Sequence, residues 1–192
     1  MQEKQIFAGN ILIVVCCGFY LAWWLLAFRP TGANVDMKTG WLLLPAFITG
    51  LAGVILTLRG INAEMPNEAP ARQLIPGGFI LWGGLAALII LLIVTALLLK
   101  RPVTTELFLI VGWCMLALSE INALFRSGLF SQGLSVGFLV LIFAAAAISM
   151  VCYILYYNLN NAAGFVTGMI PLIISAIVIA IISIFIAISN YK

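Results

Sequence analysis

The chain has 192 residues, of which 65% are hydrophobic and 8% charged. A soluble domain carries about 25% charged residues, so too few polar side chains are present to clothe a soluble globule of this size. Nine Lys or Arg against six Asp or Glu give a net charge of +3, too small and too dispersed for a nucleic-acid surface. His is absent, which removes the commonest metal ligand and the commonest general base. The composition is that of a polytopic integral membrane protein whose first partner is the lipid bilayer.

Six apolar runs are predicted to span, at about 6–28, 41–59, 78–99, 105–126, 134–157 and 163–189. Each approaches or exceeds the roughly 20 residues that carry a helix across about 30 Å of hydrocarbon. None alternates as a barrel strand would, so the expected fold is an all-α six-transmembrane-helix bundle forming one domain over 1–192. The first run lacks an A-x-A cleavage site and reads as a retained span.

The breaks are well marked. Arg29-Pro30-Thr31-Gly32 stops the first span, and Asp36 and Lys38 keep its loop in water. Arg59-Gly60 is the expected stop of the second. Gly60 to Gly77 is a polar connection with Pro66, Pro70 and Pro76. Lys100-Arg101-Pro102 stops the third span. Ser127-Gly128 and Gln132-Gly133 flank the fourth turn, and Asn158, Asn160 and Asn161 mark the fifth. An even number of spans puts both termini on one side, with Lys4, Arg59, Arg72, Arg126 and Lys192. Arg29, Lys38, Lys100 and Arg101 fall on the other. Positive-inside counting therefore leans to cytoplasmic termini, by five to four. Short loops and the absence of an N-x-S/T acceptor suit a prokaryotic inner membrane.

Small residues mark where helices can approach closely: Gly50 and Gly53, Gly83, Gly84, Ala86 and Ala87, Ala144 to Ala147, and Gly164-x-x-x-Gly168. Cys16, Cys17, Cys114 and Cys152 form no C-x-x-C pair and read as small core hydrophobes. Pro45 and Pro171 lie inside spans, where each removes a backbone donor; Pro171 is the hinge candidate.

Shifting the chain by 97 residues lays Leu12-Ile13-Val14 on Leu109-Ile110-Val111, Cys17 on Cys114, Leu21 on Leu118 and Phe28-Arg29 on Phe125-Arg126. A repeat of three spans must be inverted, a plan that recurs in secondary transporters. Chance similarity between two Leu/Ile/Val-rich helices ending in Phe-Arg explains the same match.

The fourth span carries Glu120, the one carboxylate inside a hydrocarbon-length run. It lies six residues before Arg126, about 9 Å inside the helix end. Ionisable residues inside membranes are costly and mark functional sites by default, although an interhelical hydrogen bond explains such a residue too. Ser119, Asn122 and Arg126 share a helical face, and Glu120 lies about 100° around from Ser119. Asn10 sits one turn into the first span at similar depth on the same side, so it and Glu120 are candidates to meet. Trp23 and Trp24 end the first span with Tyr20; adjacent residues face about 100° apart, so one suits an interfacial belt and the other a ligand-facing wall. Trp41 and Trp82 extend the belt, and Tyr153, Tyr156 and Tyr157 read the same way. Glu106, in its helix's first turn, complements the dipole.

No metal or cofactor site is expected, and no catalytic motif either: neither G-x-S-x-G, nor H-E-x-x-H, nor a phosphate-cradling glycine loop is expected in this chain. The residues point first to a small transporter or ligand-binding membrane protein. Its polar pocket would lie around the fourth helix, formed by Glu120, Asn122, Ser119, Arg126, Asn10, Trp23 and Trp24. Its small-molecule or ion substrate is not named by the sequence. The alternative is a non-catalytic membrane subunit that packs on a partner subunit or on copies of itself. A membrane enzyme acting on a lipid through Glu120 ranks last.

Overall fold

A computed structural model describes residues 2–27, 37–63, 73–98, 100, 105–156, 159 and 161–190. The expected stops at 29–32, Asp36, Arg101-Pro102, Asn158 and Asn160 lie outside the described residues. So do Pro66, Pro70, Arg72, Tyr157 and Lys192, and the side chains of Lys38 and Glu106.

The described chain is all-α. Helix α1 covers Gln2–Ala27, α2 Leu43–Ile61, α3 Gly77–Ile93, α4 Thr105–Arg126, α5 Gln132–Tyr156 and α6 Asn161–Asn190. All six belong to segments long and apolar enough to cross a membrane. The protein is therefore an integral multi-pass membrane protein, and the predicted spans differ from the helices by a few residues at each end. Two departures have local causes. A 3-10 turn, Met37–Leu42, precedes α2, so Pro45 falls in the first turn of the α-helix proper. The proline falls where the 3-10 turn passes into the α-helix, near the start of the span. Gly60 does not end α2: the helix continues through Ile61 and closes with the Asn62 N–H on Leu58 O. At its far end α3 widens into a π-turn, Val94–Leu98, which nothing in the sequence signals.

The chain divides into two compact units, Met1–Glu64 with Val151–Lys192, and Met65–Met150. These units do not follow the halves of the proposed repeat.

In the first unit α1 packs on α2 and on α6. The α1–α2 contact is a glycine seam. Gly50, Gly53, Thr57 and Gly60 on α2 face Cys16, Ile13, Gly9 and Ile6 on α1. The spacing on both helices is three, four, three, so one stripe of each stays in contact along its length. The backbones nearly touch: a Cβ on Gly9 would stand 2.7 Å from Thr57 N, and one on Gly53 would stand 2.9 Å from Gly9 O. Lipid offers no hydrophobic drive between helices, so this close van der Waals fit is what holds the pair. Gly50 and Gly53 were expected contacts; Gly9 and Gly60 were not.

In the second unit α3 packs on α4, with Gly84 against the flexible Met115 side chain. Gly83, Ala86 and Ala87 are exposed. Gly128, at φ +77°, ends α4 in the left-handed conformation that favours glycine. Phe130 then stacks on Phe138 at 5.4 Å. The Ser131 hydroxyl accepts from Leu134 N–H and caps α5.

Candidate functional site

Helix α4 is the most enclosed span. In its apolar window 50% of the residues are buried, against 11% in α3. The run Glu120–Phe125 is buried without interruption. Six consecutive residues cover more than one turn, so this length of α4 is covered on every side. Glu120 is 2% exposed; of its neighbours in the same helix Ala117, Leu118, Ile121, Ala123 and Leu124 are buried, and Leu116 and Ser119 are half-buried. A carboxyl held there is engaged, not free. As a buried ionisable group it must be neutral or tightly partnered to avoid a large desolvation cost.

Asn122, 7% exposed, has a defined task. Its Oδ1 accepts from the Leu74 N–H at 3.0 Å and the Ile75 N–H at 3.3 Å, and its Nδ2 donates to Ile75 O at 2.8 Å. Three backbone groups of the non-helical lead-in to α3 are thereby satisfied by one side chain. Where water is scarce, irregular backbone persists only with such partners. Pro76 follows at the start of α3 and donates nothing; its carbonyl accepts from Phe79 N–H. Ser119 donates its hydroxyl to Met115 O at 2.8 Å, one turn back in its own helix. Arg126 closes the last turn of α4, half-buried, where a cation complements the helix dipole.

The first unit holds the remaining expected residues. Asn10 is buried on α1 beside the glycine seam. Trp24 is the inward member of the tryptophan pair. Its Nε1–H donates to Phe165 O at 3.2 Å, and its ring lies 6.4 Å from those of Tyr156 and Phe165. The ring fits because Gly168 has no side chain: a Cβ there would stand 2.7 Å from Trp24 Cζ2. Gly164, the other half of that motif, meets Tyr156 only at ordinary contact distance. Trp23 is half-buried, 5.3 Å from Tyr20. Trp41 and Trp82, each 68% exposed, suit the interfacial belt. Tyr153 and Tyr156 do not. Tyr153 is buried, and Tyr156 is half-buried with its ring packed on Trp24, which suits the inward wall reading. Helix α6 continues through Pro171, with the Ser175 hydroxyl donating to Pro171 O at 2.9 Å and Leu172 O at 3.0 Å.

The expected absence of G-x-S-x-G does not hold. Gly133-Leu134-Ser135-Val136-Gly137 matches G-x-S-x-G. That motif makes a nucleophile only on a tight strand-to-helix turn with a His to activate the serine. Here Ser135 lies in the first turn of α5, fully buried, its hydroxyl donating to Ser131 O at 3.0 Å. The chain has no His. The match carries no chemistry. The reading also passes over Trp113, halfway along α4, and Thr57; the indole N–H and the hydroxyl are buried with no partner among the described residues. Among the described residues no three His, Cys, Asp or Glu side chains gather to hold a metal ion.

No protein-family model, curated protein or solved structure matches this chain.

Proposed function

We propose that this multi-pass membrane protein is a small transporter or ligand-binding membrane protein in which Glu120 binds a proton or the ligand. What supports the reading is the presence of an ionisable side chain inside a membrane-spanning helix; its burial, 2% exposed in the most enclosed helix, suits the structural alternative as well. A charge at a helix centre costs roughly 2.5–3.5 kcal/mol on insertion scales and less at the depth of Glu120, six residues from the helix end; such residues are kept where they serve ion or substrate paths. We place the protein in a prokaryotic inner membrane with both termini in the cytoplasm, supported by the five-to-four basic count and the short loops.

A second reading has a specific observation in its favour. Asn122, Ser119 and Trp24 are all hydrogen-bonded to the protein's own backbone. That suits a non-catalytic membrane subunit whose polar residues are structural.

Glu120→Gln separates the two. Purified wild type and variant are compared by thermal unfolding in detergent across pH and a panel of monovalent cations and small amines. A transporter or binding protein shows, at fixed pH, a stabilisation by one of the added cations or amines that the folded variant lacks; a pH dependence alone does not count, since any buried carboxyl gives one. If the variant fails to fold, or both proteins respond alike, Glu120 is an interhelical strut and the subunit reading stands.

A further inference from the structure

We draw no further inference here: the strongest candidate, the buried Thr57 hydroxyl in the glycine seam between α1 and α2, lies where the two backbones already touch, and the closed seam leaves no room for a ligand.

Discussion

Residues of one chemical type have different tasks according to what each side chain reaches. From sequence, Asn122 reads as a pocket residue because it shares a face with Ser119 and Arg126. That face is real, but the Asn122 amide is directed at the backbone of Leu74 and Ile75. Helical periodicity reveals which residues are neighbours along α4; it cannot reveal that a segment 47 or 48 positions away lies against them. Asn122→Ala leaves two amides and a carbonyl without partners, so it is expected to lower stability by about 2–4 kcal/mol. Asn122→Asp keeps an acceptor for both amides but sets a second carboxyl oxygen against Ile75 O and buries a charge, so its loss is expected to be at least as large as that of Asn122→Ala. Thermal unfolding of the three proteins checks the order; equal stability of Asn122→Ala and wild type would show that the bonds hold nothing. Thr57 makes the opposite case. Its fully buried hydroxyl has no partner among the described residues, so it contributes desolvation cost without a compensating bond. Thr57→Val keeps the branched shape and removes that cost. Its unfolding midpoint should equal or exceed that of the wild type, and a clear fall would mean the hydroxyl has a hidden acceptor.

At the scale of elements, apolar run length was enough to place all six helices, because a membrane demands about 20 apolar residues and a closed backbone. What run length cannot supply is which small residues are contacts. Gly9 and Gly60 looked unremarkable, and Gly60 looked like a stop, yet both are seam positions; Gly83 looked like a contact and faces open space. The distinction depends on register between α1 and α2, which neither helix encodes alone. It gives a test with two signs. At Gly9 an added methyl meets the backbone of Thr57 and Gly53, which cannot step aside, so Gly9→Ala should destabilise by about 1–3 kcal/mol. Gly18, in the same helix, has nothing within 4 Å of its missing Cβ. Gly18→Ala should stabilise by about 0.5–1 kcal/mol through the lower entropy cost of ordering alanine. Measured together in one detergent, the two variants must move in opposite directions. Parallel shifts would mean that helix propensity, and not the seam, governs α1.

For the whole molecule, the match at an offset of 97 is confined to α1 and α4. Of the glycines that hold α1 on α2, only Gly50 has a small counterpart, Ala147; Gly9, Gly53 and Gly60 fall on Glu106, Met150 and Tyr157. Residues of that size keep backbones further apart than glycine does, so a repeat would have to pack its second hairpin differently from its first at those positions. Orientation is the property least legible in the sequence, since nine basic residues divide five to four between the two sides. It is also directly measurable. With six spans, reporters fused after Gly32, Arg101 and Asn160 must report one side, and those after Glu68, Gly128 and Lys192 the other. For cytoplasmic termini, alkaline phosphatase, which matures only outside the cytoplasm, should be active in the first set, and a fluorescent reporter that folds only inside should be bright in the second. The reversed pattern would keep six crossings and overturn the orientation, leaving the small basic excess without influence on insertion. A break in the alternation would instead remove a span, and α3, the least enclosed of the six, is the helix on which such a break would be most informative.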